Sequence, residues 1–182
     1  MILSDTTIEE LIDARKITIF PDFDKKNIRP AGIRLHLGAE ILIPEPGQTT
    51  DLEGSNDLEY RKIELDEKGY ILKPNEFILG STHEKFQVPR DILCHIDGRS
   101  TVARLGLSIH CTSTTIDGNF DEPRTVVLEM KNIGSFNIVL KPKSAIAMLT
   151  FSELSAPIQQ MSQQQYKGQS GVVAPNMKIQ KK

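Results

Sequence analysis

At 182 residues, with 38% apolar and 25% charged side chains and a net charge of −2, the chain is sized for a single domain with its own core. The near balance of 22 Lys+Arg against 24 Asp+Glu, the absence of tryptophan and an aromatic content of 5% argue against a protein that coats a nucleic-acid polymer. No apolar run approaches the ~20 residues of a membrane helix, the acidic opening MILSDTTIEELIDARK is not a signal peptide, and two separate cysteines make no disulfide framework, so the expected setting is the cytoplasm.

The first element is a short helix. Thr6 followed by Glu9 fits a capping box, and Ile8, Leu11 and Ile12 then recur at helical spacing, fading near Lys16. From Ile17 onward the pattern becomes one of short strands. Ile33, Leu35 and Leu37 alternate with Arg34 and His36, and Ile41 and Ile43 are stopped by Pro44-Glu45-Pro46-Gly47. Residues 48–60 are polar and read as an exposed loop. Ile63 with Leu65, Tyr70 with Leu72 and Phe77 with Leu79 follow, with turns at Glu67-Lys68-Gly69 and Lys73-Pro74-Asn75-Glu76 between them. Ile92, Cys94 and Ile96 form a strand ending at Gly98. Ile109–Cys111, Val126–Met130, Ile138–Leu140 and Ile146–Leu149 complete the set. Strands at this spacing, without an internal repeat, predict a mainly β sandwich or barrel. The last ~25 residues are glutamine-rich and lack apolar period; composition leaves a frayed tail and an ordering arm both open.

Three segments carry chemistry. In Asp97-Gly98-Arg99-Ser100-Thr101-Val102-Ala103-Arg104-Leu105-Gly106-Leu107, Ser100 is placed to cap a helical turn flanked by Arg99 and Arg104. The turn reads either as a polyphosphate cradle or as a capped surface turn with solvated arginines. Glu129 interrupts the apolar run Val126–Met130. With Val126, Leu128 and Met130 facing the core, it shares the other face with Val127 and Lys131, as an outward carboxylate or as a pocket-wall acid that activates water. Asp117, before Gly118, is a turn residue or an acceptor for a sugar hydroxyl. The H-x-E and P-C-x-x-C segments of a zinc deaminase, a Walker loop, a G-x-S-x-G elbow and a G-x-G-x-x-G loop are all missing. The four histidines have no metal-ligand spacing and read as ordinary strand or loop residues.

Taken in order, Pro74–Thr82, Val88-Pro89, the Gly98–Leu107 block, Ile116-Asp117, Val127-Leu128-Glu129 and Gln165–Gly171 resemble the dCTP deaminase branch of the dUTPase-like superfamily over nearly the whole chain. The resemblance implies a distorted jelly-roll β-barrel with a short N-terminal helix, a barrel domain over residues 1–157, and an arm over 158–182 that closes the active site. It also implies a homotrimer with sites between subunits and dCTP as substrate, its triphosphate carrying Mg2+. Glu129 and Arg104 would be catalytic. Arg99, Ser100, Thr101, Val102, Ala103 and Arg104 would hold the nucleotide, with Asp117 on the deoxyribose 3'-hydroxyl, Val127 and Leu128 along the base and Gln169 covering it. The expected product is dUTP with ammonia; a dUTP diphosphatase, a bifunctional enzyme and a silent nucleotide-binding homologue are the alternatives. Arg34 stands where the family usually has an acid, Gln165 where it has a phosphate-binding lysine (Lys167 lies close by), the 118–124 turn is longer than the family's, and no tyrosine stands near Ile158.

Overall fold

The computed structural model describes residues 1–21, 23–53, 56–117, 119–159, 166 and 169–176. Helix α1 spans Asp5–Asp13 and is followed by strand β1 (Thr18–Phe20), a single 3-10 turn (Lys25–Asn27), β2 (Ile28–Arg29), β3 (Gly32–His36) and β4 (Glu40–Pro44). Then come β5 (Tyr60–Glu64), β6 (Tyr70–Leu72), β7 (Phe77–Ser81), β8 (Lys85–Gln87) and β9 (Ile92–Gly98). The short helix α2 (Ser100–Arg104) leads to β10 (Leu107–Ser108), β11 (Thr115–Ile116), β12 (Val127–Asn132), β13 (Ile138–Leu140) and β14 (Ala145–Glu153).

The strands form two five-stranded antiparallel sheets, ordered β10-β12-β7-β4-β5 and β11-β9-β14-β3-β2, with the two-stranded ribbons β1-β8 and β6-β13 at the margins. Alternation explains the core. On β3, Ile33 and Leu35 are fully buried while Arg34 and His36 face outward. On β9, Cys94 and Ile96 point inward while Leu93, His95 and Asp97 do not. These side chains meet Ile41, Ile78, Leu128 and Met130 of the other sheet in one cluster. At ~1.5–3 kcal/mol for each large apolar side chain buried, that shared face holds the sheets together. The expected jelly-roll barrel with an N-terminal helix is what the chain forms, and among the described residues no helix is long and apolar enough to cross a membrane. Both cysteines are free, Cys94 buried and Cys111 exposed.

Several local expectations need correction. The N-cap of α1 is Ser4, not Thr6, and Ser4 makes no side-chain cap; instead Asp5 accepts a hydrogen bond from the Thr6 amide at 2.9 Å. Ser100 is the first residue of α2 rather than its cap, a position held by Arg99, again without a side-chain cap. Ile109–Cys111 is not a strand, because pairing with β12 ends at Ser108. β2, β8, β10 and β11 lie outside the expected strands: each is a short edge segment that pairs with a neighbour without carrying an apolar alternation of its own.

Candidate active site

β12 positions Glu129. Its Leu128, Met130 and Asn132 are buried, so the pleat turns Val127, Glu129 and Lys131 to the opposite, half-buried face, as the alternation implies. Pairing with β7 places Glu129 opposite Leu79. That face opens onto a cavity of about 530 Å³, whose wall includes Val127, Glu129, Asp117, Thr125, Arg124, Tyr60, Tyr166 and Gln169. Asp117 reaches it from the end of β11, which is held to β9 by Thr115 opposite His95 and Ile116 opposite Cys94.

Part of the C-terminal segment also belongs to this wall. Gln169 donates through Nε2 to the Thr125 carbonyl at 3.3 Å, and the Thr125 hydroxyl donates to the Gly171 carbonyl at 3.0 Å. Val172 is buried with Leu42 and Leu79 in a small second cluster. The turn preceding β12 is fastened by buried Asn119, whose Nδ2 donates to the carbonyls of Phe86 at 2.9 Å and Arg124 at 3.2 Å. Arg124 is itself buried and pairs with Glu122 at 3.0 Å.

Burial pushes the Glu129 carboxyl above its ordinary value, while backbone hydrogen bonds at Cys111 and Glu129 and the nearby His110 pull partly the other way. Glu129 Oε2 is buried and has no hydrogen-bond partner among the described residues. His110 is held by Asp97, with Nε2 to Oδ1 at 3.2 Å, and its buried Nδ1 is likewise without a partner. The register of β10 on β12, Ser108 opposite Lys131, brings the following residues alongside Glu129, and Cys111 Sγ lies 3.8 Å from the Glu129 carbonyl oxygen. A half-buried carboxylate of raised proton affinity, open to a cavity, is suited to taking a proton from water and returning it.

The 99–104 stretch lies elsewhere on the chain. Arg99 donates through Nη1 to the Ala145 carbonyl at 2.6 Å, Ser100, Thr101, Ala103 and Arg104 are exposed, and Val102 packs partly against the core. None of the six lines the cavity that holds Glu129 and Asp117. Gly106 closes the turn after α2 at φ +76°, where a Cβ would come within 2.7 Å of the Gly134 amide nitrogen. Leu128 is fully buried, so its side chain faces the core and not the cavity. The readings placed on Gly118, Gln165 and Lys167 lie outside the described residues.

Tyr60 enters the cavity wall without any sequence signal, since it comes from a sheet edge far from Glu129 along the chain, while Arg124 and Thr125 come from the turn just before β12, where residue type alone does not say which way they face. His110, read as an ordinary residue, stands beside Glu129 through the β10–β12 pairing.

The two closed sheets, with Glu129 on a strand of one and Asp117 in the same cavity wall, define a jelly-roll β-barrel protein with an acidic cleft. In agreement, the structure of 2'-deoxycytidine 5'-triphosphate deaminase from Agrobacterium tumefaciens superposes with a TM-score of 0.65 at 20% identity, covering 87% of this chain; this chain spans half of that one. The dCTP deaminase-like family model matches residues 2–154, and the chain belongs to that family. Among curated relatives, it is 34% identical to the dCTP deaminase of Haloarcula marismortui, over 94% of this chain and 92% of the relative. It is 36% identical to that of Buchnera aphidicola, over 95% and 96%. It is also 31% identical to a dUMP-forming dCTP deaminase of Dictyoglomus turgidum, over 98% and 96%.

Proposed function

We propose that the protein deaminates dCTP to dUTP and ammonia, with Glu129 as the group that moves protons. The observation that carries this reading is the buried, unpartnered Glu129 Oε2 in a wall shared with Asp117. The ionised carboxylate takes a proton from water as the oxygen attacks C4 of cytosine, and passes it to ring N3. It then takes the proton of the new hydroxyl as C4=O forms and delivers it to the departing amine, ending ionised as it began. Asp117 accepts from the deoxyribose 3'-hydroxyl, Val127 and Leu128 lie along the base through their backbone, and Gln169 covers the nucleotide.

Arg99, Ser100 and Thr101 grip the triphosphate and Arg104 reaches the reacting centre from a neighbouring copy, Val102 and Ala103 forming the backbone between them. Their separation from the Glu129 cavity within one chain supports a site between subunits, and so does the exposed apolar surface of Leu105 and Ile133 next to α2. A homotrimer provides such sites in a closed ring. The Mg2+ of this reading would arrive on the triphosphate, where it would offset phosphate charge. Residues 158–182 form the arm that covers the bound nucleotide.

A dUMP-forming reaction is the second reading, favoured by relatives that bear that name. Incubation with dCTP and, separately, dUTP in the presence of Mg2+ distinguishes the two: ammonia with dUTP marks the deaminase, and ammonia with dUMP and pyrophosphate marks the dUMP-forming enzyme. Binding without turnover overturns both.

A further inference from the structure

Arg29, Arg34 and Arg99 form a cationic cluster on the outer face of the sheet that contains β9, β14 and β3. Arg34 lies opposite Met148 of β14, which in turn lies opposite Asp97 of β9, two residues before Arg99. Arg29 lies opposite Gly32, making it the diagonal neighbour of Arg34 on the same face. Glycine at position 32 places no side chain between them.

None of the three arginines takes part in an ion pair among the described residues, and Nε of both Arg29 and Arg34 is buried without a hydrogen-bond partner. Two carboxylates bound to residues of β9 and β3 or their neighbours are engaged elsewhere: Asp97 by His110, and Glu84 by His36, which donates its amide to Oε2 at 2.8 Å and meets Oε1 through Nδ1 at 2.5 Å. Partial burial, with the like charges of Arg29 and Arg99, holds Arg34 below the ordinary arginine pKa, though still protonated. Desolvated like charges with idle donors are costly unless an anion joins them.

We infer that Arg29, Arg34 and Arg99 together bind a polyphosphate chain. Guanidinium forks on two adjacent strands and a third at the start of α2 offer donors over a longer span than one carboxylate fills, which suits linked phosphates. The occupant is either the triphosphate of the nucleotide, in which case the inference rests on the proposed deaminase site through Arg99, or a free polyphosphate.

The test uses the full-length protein. Inorganic tripolyphosphate is titrated calorimetrically into the wild type, Arg34→Gln, Arg34→Lys and Arg29→Gln, and the kinetics of dCTP and dCMP are measured in parallel, with thermal melts confirming that each variant folds. Arg34→Gln and Arg29→Gln are expected to weaken tripolyphosphate by about tenfold or more, with Arg34→Lys recovering part of the loss. If the nucleotide is the occupant, Arg34→Gln raises KM for dCTP by about the same factor at nearly unchanged kcat, and has little effect on dCMP. A loss of tripolyphosphate binding with unchanged dCTP kinetics assigns the site to a free polyphosphate. Arginine-dependent tripolyphosphate binding in a protein that turns over no dCTP overturns the deaminase reading and leaves this one standing. Variants that bind tripolyphosphate and dCTP like the wild type overturn the inference.

Discussion

Glu129 and His110 are electrostatic neighbours across the β10–β12 edge, and each carries one buried polar atom, Oε2 and Nδ1, without a partner among the described residues. Their proximity links a carboxylate made reluctant to ionise by burial to an imidazole whose electrostatic influence partly relieves that reluctance, and Asp97 holds the imidazole from the solvent side.

The first prediction follows from that balance. Glu129→Gln is expected to lower deamination by about 10²–10⁴-fold while retaining dCTP binding, measured by ammonia release and by calorimetry. Because catalysis begins from the ionised carboxylate, activity falls as pH drops through a pKa above the ordinary ~4.3 of glutamate. His110→Gln removes the electrostatic neighbour that lowers this pKa, so the acid limb of the rate profile moves to higher pH. Stability has a related sign. A carboxyl whose folded pKa is raised costs the fold nothing below its unfolded pKa, and the full cost is present once pH exceeds the folded value. Glu129→Gln is therefore expected to melt at or above the wild-type temperature near neutrality, and the difference should vanish in acid. A variant that still releases ammonia at the wild-type rate removes Glu129 from the mechanism.

The second prediction concerns assembly. Glu129→Gln and Arg104→Ala are each expected to be inactive as pure proteins. Unfolded together in equal amounts and refolded, a trimer with sites between subunits recovers about one quarter of wild-type activity, because that share of the sites combines an intact Glu129 with an intact Arg104. Absence of recovery, with the mixed trimers verified by mass, places both residues in one chain's site.

The third prediction addresses the arm. Truncation after Pro157 removes Gln169 from the cavity wall and Val172 from its contacts with Leu42 and Leu79. The expected result is a folded protein, destabilised by up to ~1.5–3 kcal/mol for the lost valine burial, with KM for dCTP raised strongly. Gln169→Ala is expected to raise KM with little loss of stability, since its hydrogen bond to the Thr125 carbonyl is single and long. Unchanged kinetics in both variants deny the arm its covering role.

Much of this was legible in the sequence for a physical reason. A two-residue alternation states which side chains face inward on a strand, so β3, β9 and β12 and the outward turn of Glu129 followed from residue type alone. The same holds for turns that need a particular backbone, such as Gly69 at φ +74° and Asn75 at φ +65°. The ordered segments around Gly98–Leu107 and Glu129 likewise carry the resemblance to the family that the family model matches. What only the tertiary structure decided are relationships between residues distant along the chain: His110 against Glu129, Thr125 against Gln169, and three arginines from β2, β3 and the start of α2 on one face. Strand pairing and sheet packing create those neighbours, and the burial that raises a carboxylate's proton affinity or leaves a guanidinium unpaired exists only after the sheets have closed on one another.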